Sequence, residues 1–254
     1  MQRIRARSAI GIHATALRNW GVLFILAGIV GKCVLQNQIA GLDHRDLLAV
    51  VEGPMWVLLC AIGGILLQML ESCALPIFAF LLVEGFQRTG NWQKYILRIF
   101  GTALIAEIPY NLAYGGRLLD ISCRNPMFAL VLGLVLLKFY SLYPEKDTKS
   151  KVMKALLTLA AFLWAFLLGI QYGVPMLVLV AVSWGCREKP RARNVCGAVA
   201  ALVCSVFSLY MLAAPLGFLL LAFYNDEPVE YNRKAYYLAY PLFLAVVGII
   251  GAFV

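Results

Sequence analysis

The sequence predicts an all-α integral membrane protein, a bundle of about nine to ten hydrophobic helices of which some are short, broken or re-entrant. Hydrophobic residues make up 62% of the 254 residues and charged residues only 14%, and the mean hydropathy is +0.82. Soluble domains have about 45–50% apolar and about 25% charged residues. A surface this apolar needs lipid as its solvent. The composition therefore excludes a soluble globular domain, a disordered chain and a nucleic-acid-binding protein.

The chain is predicted to form a single transmembrane domain over residues 1–254, preceded by no cleaved signal. Its first residues, Met1–Arg18, carry four arginines. They lack the apolar core and small-residue cleavage site of a signal peptide, so they predict a retained basic arm in the cytoplasm. The net charge of +9 fits basic loops that set orientation and contact anionic headgroups. We therefore expect a multi-pass protein of the cytoplasmic (inner) membrane of a bacterium, with a cytoplasmic N-terminus.

Ten apolar runs follow, separated by short polar joints or by Gly and Pro, and each predicts a helix. The runs are Trp20–Leu35, Leu47–Leu70, Cys73–Phe86, Tyr95–Tyr114, Pro126–Tyr143, Val152–Ile170, Val174–Trp184, Val195–Leu212, Pro215–Tyr224 and Tyr236–Val254. Those that begin at Cys73, Val174 and Pro215 are shorter than the ~20 residues of a straight span. These three are expected to be tilted, broken or re-entrant.

The basic loops constrain the number of crossings. Gln87–Lys94, Pro144–Lys151 and Arg187–Arg193 are separated by pairs of runs, so they should share the cytoplasmic side. Three full crossings from a cytoplasmic N-terminus would place the first of these loops outside. One early run is therefore expected not to cross, and Leu47–Leu70, which follows the charged stretch Asp43–Asp46, is the candidate. About nine crossings remain.

Ionisable residues inside the apolar runs are costly and point to function. Glu84 ends one run and Arg98 begins the next, so the two can meet as an ion pair that either pins two helices or contacts a substrate. Glu107 lies mid-run ahead of Pro109, with Asn111 one turn on along the same face. A helix broken at Pro109 would line a cavity, whereas a purely structural kink is the alternative.

Other catalytic groups are scarce. Histidine occurs only at His13 and His44, outside the predicted spans, and no metal site is expected. Motifs of zinc proteases, P-loop enzymes, Rossmann domains and esterases are absent from the sequence. Since the loops are short, any chemistry must take place in or at the membrane.

Three neighbouring segments carry a family resemblance. They are Ala74–Phe86, Lys94–Arg98 and Ala106–Ala113, with Glu84-Gly85, Arg98 and Glu107-Ile108-Pro109 as their polar landmarks. In order and spacing these resemble the TraX family, named for the pilin acetylation protein of conjugative plasmids and similar to the multi-span membrane acyltransferases. Weaker similarity continues through Gln171-Tyr172-Gly173, Phe223-Tyr224-Asn225 and Tyr240-Pro241.

The resemblance implies transfer of an acetyl group from acetyl-CoA to an amine or hydroxyl acceptor. It implies catalytic roles for Glu84 or Glu107, with Cys123 or a tyrosine in support. The coenzyme phosphates would be bound by Arg88, Lys94 and Arg98. The residues expected around the substrate are Tyr110, Asn111, Asn125 and Tyr172.

The sequence departs from the family where histidine is expected. The Asp-His pair of the first span aligns with Gly28 and Ile29, the histidine of the last span with Phe243, and that before the fifth span with Cys123 or a neighbour. Three functions therefore stay open. The protein is an acyltransferase that uses a carboxylate, a catalytically inactive membrane subunit with a protein partner or a second copy, or a small transporter or flippase. The lipid bilayer is an expected partner in all three, and nucleic acid in none.

Overall fold

The computed structural model describes residues 11–42, 50–120, 122–144, 147–225 and 233–253. The first ten residues of the basic arm and the charged stretch Asp43–Asp46 lie outside this range. The described residues form ten α-helices, each corresponding to one predicted run. They are α1 (Ala14–Ile29), α2 (Met55–Ser72), α3 (Ala74–Arg88), α4 (Trp92–Gly115), α5 (Met127–Leu142), α6 (Thr148–Leu167), α7 (Gly173–Gly185), α8 (Pro190–Val203), α9 (Pro215–Ala222) and α10 (Arg233–Phe253).

Four helical segments are long and apolar enough to cross a membrane. They are Ala14–Ile39, Met55–Arg88, Trp92–Gly115 and Thr148–Leu167, and shorter apolar helices accompany them. Large hydrophobic side chains such as Leu159 and Phe166 on α6 are more than half exposed on the outer surface. An apolar exterior of this kind is suited to lipid. The prediction of an all-α membrane bundle is confirmed.

The second and third predicted runs form one bent helical segment, because only a one-residue turn at Cys73 separates α2 from α3. Pro76 explains the bend, since its ring has no N–H and clashes with the carbonyl of Ser72 four residues earlier. Met55–Arg88 therefore counts as one apolar segment of 34 residues. The expectation that Leu47–Leu70 does not cross is wrong for its described part, because α2 belongs with α3 to one helical segment long and apolar enough to span. The first three runs still make two segments, as the charge pattern requires.

The bent segment lies antiparallel to α1 and its π-helical continuation Val30–Ile39. Gly31 and Gly64 face each other across this pair. A Cβ on Gly31 would stand 2.7 Å from the carbonyl oxygen of Gly64, and one on Gly64 would stand 2.6 Å from that of Gly31. Only glycine permits backbones to approach so closely. Next to them, Gln68 donates to Gln36 Oε1 at 2.8 Å.

Helix α3 lies at the centre of the bundle. It packs against α1, α5, α7 and α9, and most of its residues from Ala74 to Val83 are buried. Helix α7 packs against α3, α5, α6 and α8. Because these two helices face protein on most sides, they read as nearly continuous apolar runs without an amphipathic stripe.

The three basic loops lie at one end of the bundle, called the basic end here. Phe86 and Trp184 pack edge to face with ring centroids 5.8 Å apart, which joins the ends of α3 and α7. Lys138 Nζ lies 5.6 Å from the ring centroid of Trp92, which joins α5 to the start of α4. The loops therefore share one end, as their charge predicts. Its assignment to the cytoplasm stays a prediction.

The opposite end, called the far end here, is built around the loops 116–126 and 168–172. Their backbones are joined by two hydrogen bonds. Arg124 N donates to Gly169 O at 2.9 Å, and Gln171 N donates to Arg124 O at 3.0 Å. This pairing fixes the residues before α5 against those before α7.

Candidate functional site

A cavity of about 590 Å³ enters the bundle from the basic end, between α1, α3, α4, α5 and α10. We call it the basic cavity because four cationic side chains line its mouth, namely Arg18, Arg88, Lys94 and Arg98. The three cations that the sequence analysis predicted to bind phosphates therefore line one cavity. Arg18, which that analysis placed in the N-terminal arm, joins them because α1 already begins at Ala14.

Glu84 also lies at the mouth of the basic cavity. Its Oε1 is 2.8 Å from Arg88 Nη2, one turn along the same helix, and it accepts a hydrogen bond from the hydroxyl of Tyr224. The predicted ion pair with Arg98 is replaced by the pair with Arg88. Glu84 therefore orders a cation at the mouth and lies far from the inner end of the cavity.

The inner end of the basic cavity contains a carboxyl group that the sequence analysis missed. Glu71, with 7% of its surface exposed, lines the wall together with Tyr172 and Tyr240. It precedes Glu84 by thirteen residues in the bent segment, or roughly 20 Å at 1.5 Å per residue. The cavity thus leads from a cluster of cations to a buried carboxyl group.

Glu71 occupies space left by a missing side chain on α1. A Cβ on Gly28 would overlap both the carboxyl group and the Cβ of Glu71. Gly28 is one of the two positions where the resemblance leads us to expect an Asp-His pair. The carboxyl group found here comes from α2 instead.

A second cavity, of about 690 Å³, enters from the far end. We call it the far cavity, and its wall includes Lys32, Gln68, Tyr110, Asn111, Asp120, Cys123 and Gln171. Asn111 is 2% exposed, and in the described part of the chain neither its Oδ1 nor its Nδ2 has a hydrogen-bond partner. An unpaired buried amide is costly, so Asn111 is an unsatisfied polar residue in the wall of the far cavity. Tyr172 lies in the walls of both cavities.

Tyr172 is held in an unusual backbone conformation. Its φ of 54° and ψ of 19° are left-handed, which is rare for an aromatic residue and associated with functional sites. Gly169 turns the chain three residues earlier with a φ of 61°, and a Cβ there would lie 2.6 Å from the carbonyl oxygen of Ser122. The hydroxyl of Tyr110 donates to Gln171 Oε1 at 2.9 Å. These contacts fix Tyr172 between the cavities.

Glu107, the other predicted catalytic acid, has partners for both carboxylate oxygens. Arg124 Nη1 lies 3.1 Å from its Oε1, and Asn125 Nδ2 donates to its Oε2 at 2.6 Å. Asn125 Nδ2 also contacts the carbonyl oxygen of Ala103 at 2.9 Å. Glu107 and Asn125 line neither of the two cavities. They anchor the loop before α5, which favours a positioning role for both.

Of the two alternatives at Pro109, the broken helix is contradicted, because α4 continues through Pro109 to Gly115. Ala106 and Tyr110, on either side of the proline, are buried in the bundle and stabilise the helix there. Asn111 therefore reaches the far cavity from an intact helix.

We expect Glu107→Gln to lower the free energy of unfolding by about 1–2 kcal/mol, because the ion pair between Glu107 and Arg124 is lost. The effect is modest because about a third of the Arg124 side chain is exposed to solvent. Thermal unfolding in detergent measures this effect. Glu188→Gln is the matched control, since Glu188 is 77% exposed and 3.9 Å from Arg187. An unchanged melting temperature for Glu107→Gln would show that the anchor is not stabilising.

The positions where the resemblance leads us to expect histidine meet in space. Ile29, Phe243 and Cys123 belong to one apolar cluster, which also contains Tyr110 and Tyr240. All three are apolar or weakly polar side chains here. Glu71 lines the basic cavity together with Tyr240 of this cluster.

The sequence did contain a signal for Glu71. The joint between the second and third runs has only two residues, Glu71 and Ser72. Such a joint is at the short limit for a turn between helices, so a single continuous helix with both residues at membrane depth was an alternative to a loop. Arg18 could have been found from its position two residues before the first apolar run. Tyr240, in contrast, is hard to separate from ordinary interfacial aromatics by sequence.

Residues 39–251 match the protein-family model described as TraX protein. The chain belongs to the TraX family. The matched range includes all the predicted site residues and Glu71, whereas Gly28 and Ile29 precede it. No curated protein and no solved structure matches the chain.

Proposed function

We propose that this TraX family member transfers an acetyl group from acetyl-CoA to an amine or hydroxyl acceptor. The observation that carries the proposal is the basic cavity, with cations at its mouth and a carboxyl group at its inner end. Guanidinium and ammonium groups bind phosphates through charge-assisted hydrogen bonds. The donor set therefore fits the coenzyme, and Arg18, Arg88, Lys94 and Arg98 are the residues that would hold its phosphates.

Acetyl-CoA supplies the acetyl group as a thioester. The chain contributes orientation at the mouth, where Glu84 orders Arg88. Apolar side chains such as Leu75, Phe78 and Ile99 line the walls further in and exclude water, which would otherwise compete with the acceptor.

The far cavity supports a separate approach for the acceptor. Its wall includes the polar side chains of Asp120, Ser122 and Gln171, which offer hydrogen-bond donors and acceptors to a polar group. Tyr172 separates this cavity from the basic one. An acceptor in the far cavity would thus meet the acetyl group beside Tyr172, away from the phosphates.

A second candidate function is transport, including flipping of a lipid. Two cavities that enter from opposite ends and meet at one aromatic residue are also what alternating access requires. A binding subunit without catalysis is favoured by a different observation, the apolar side chains of Ile29 and Phe243 at the expected histidine positions.

Acetyl-labelled coenzyme distinguishes these functions. Liposomes containing the purified protein are incubated with labelled acetyl-CoA and two probes, a peptide with a free α-amino group and glucosamine. Acetyl transfer predicts release of free CoA thiol with label on a probe. Intact acetyl-CoA inside the vesicles would support transport instead. Binding without thiol release would support the non-catalytic subunit, and Arg187→Gln, which alters a cation outside both cavities, should match the wild type.

A further inference from the structure

We propose that Glu71 is the general base of this site, the group that takes the proton from the attacking amine or hydroxyl. The inference rests on the proposed acetyl transfer. It assigns to α2 a catalytic group that the sequence analysis placed on α3 or α4.

The position of Glu71 supports this role. Glu71 lies at the inner end of the basic cavity, while its neighbour one turn earlier, Gln68, lines the far cavity. Tyr172 lines both cavities, and Glu71 lines the basic cavity with it. The Glu71 carboxyl group therefore lies at the boundary where a group from one cavity meets a group from the other. A general base must lie within reach of the proton that it removes.

The carboxyl group of Glu71 is also available, since the other two candidate acids have partners. The two oxygens of Glu107 are taken by Arg124 and Asn125, and Glu84 holds Arg88 and Tyr224. Among the described residues the structure gives the carboxyl group of Glu71 neither an ion pair nor a hydrogen bond. Buried carboxyl groups normally have such partners, so an unengaged one facing a cavity is a candidate for chemistry.

The close fit between α1 and α2 also supports this role. Glu71 can adopt its position only because α1 has glycine at position 28, where any Cβ would overlap the carboxyl group. The neighbouring cluster also supplies Tyr240, which lines the basic cavity. Its hydroxyl group is a hydrogen-bond donor suited to an oxyanion that develops on the acetyl carbonyl.

The proposed step balances as follows. The acceptor nitrogen or oxygen forms a bond to the acetyl carbon, and its proton passes to a carboxylate oxygen of Glu71. The carbon–sulfur bond then breaks, and the thiolate that leaves takes the proton back from Glu71. The products are the acetylated acceptor and CoA thiol, and Glu71 ends in its starting form.

The test compares Glu71→Gln with the wild type in three measurements on the full-length protein in liposomes. Equilibrium binding of labelled acetyl-CoA should stay within about threefold, because the phosphate-binding cations are unchanged. Release of CoA thiol with the peptide and glucosamine probes should fall by about 100-fold or more, the usual contribution of a general base. Dicyclohexylcarbodiimide attacks protonated carboxyl groups in apolar surroundings, so below the pH at which Glu71 ionises it should modify Glu71, and saturating acetyl-CoA should prevent this.

Turnover of Glu71→Gln at the wild-type rate would overturn the assignment, and so would carbodiimide labelling that acetyl-CoA does not change. If the wild-type protein does not bind acetyl-CoA, the proposed function is overturned instead. A second variant guards against misfolding. Gly28→Asp combined with Glu71→Gly returns a carboxyl group to the same space from α1 and should recover at least a tenth of the wild-type rate, whereas Glu71→Gly alone should not.

Discussion

Replacing Arg88, Lys94 and Arg98 together by glutamine is expected to weaken acetyl-CoA binding by roughly a thousandfold. Each charge-assisted contact to a phosphate contributes about 1.5 kcal/mol at the low end of its range, which corresponds to about tenfold in affinity. We use the low end because all three side chains are exposed at the mouth of the basic cavity. Equilibrium binding of labelled acetyl-CoA to the detergent-solubilised protein measures the loss.

The matched control removes the same charge from the same end of the bundle. Arg187, Lys189 and Arg191 lie around the loop between α7 and α8 and line neither cavity. Their triple replacement by glutamine should lower affinity only slightly, through the general field of the basic end, and more salt should remove even that effect. Equal losses in the two triple variants would mean that the coenzyme does not use the basic cavity.

Gly28→Ala is expected to reduce both stability and acetyl transfer. Its new Cβ overlaps the carboxyl group and Cβ of Glu71, so α1 and α2 must move apart or the carboxyl group must leave its place. Overpacking of this kind costs about 1–3 kcal/mol. Thermal unfolding measures that cost, and we expect CoA thiol release to fall at least about tenfold because a base is effective only in place.

Gly101→Ala is the control for the helix itself. Gly101 lies in α4 with no atom within 4 Å of an added Cβ, so alanine there should leave stability unchanged or raise it by about 0.5–1 kcal/mol. Adding Glu71→Ala to Gly28→Ala should restore the melting temperature but not the transfer. A Gly28→Ala protein with normal stability and normal transfer would show that the fit between α1 and Glu71 is unimportant.

The helices could be predicted from the sequence because each apolar run is long enough to identify and is bounded by polar residues or by Gly and Pro. The joining of α2 and α3 at Cys73 could not be predicted in this way. Pro76 has no N–H to donate to the carbonyl oxygen of Ser72, and a proline at this point fits a loop as well as a bend within one helix. A run-by-run reading treats the residues between two runs as a loop. In this chain those residues, Glu71 and Ser72, lie inside the bundle.

The part of the site that could be predicted consists of residues close together in the sequence. Lys94 and Arg98 lie one turn apart on one helix and Arg88 lies just before it, so their meeting follows from local sequence. The partners of Glu107 come from a loop seventeen and eighteen residues later and could not be read from the helix that carries it. The position of the Glu71 carboxyl group depends on the absence of a side chain at Gly28 on α1. Such complementarity is visible only once the two helices are packed together.

The most direct test of this account is the thermal stability of the purified protein with and without saturating acetyl-CoA. A ligand that binds only the folded state at a hundred times its dissociation constant adds about 2.7 kcal/mol of stability. The account predicts a clear rise in melting temperature for the wild type, and the loss of that rise when Arg88, Lys94 and Arg98 are replaced. A folded wild-type protein whose melting temperature acetyl-CoA leaves unchanged would contradict it.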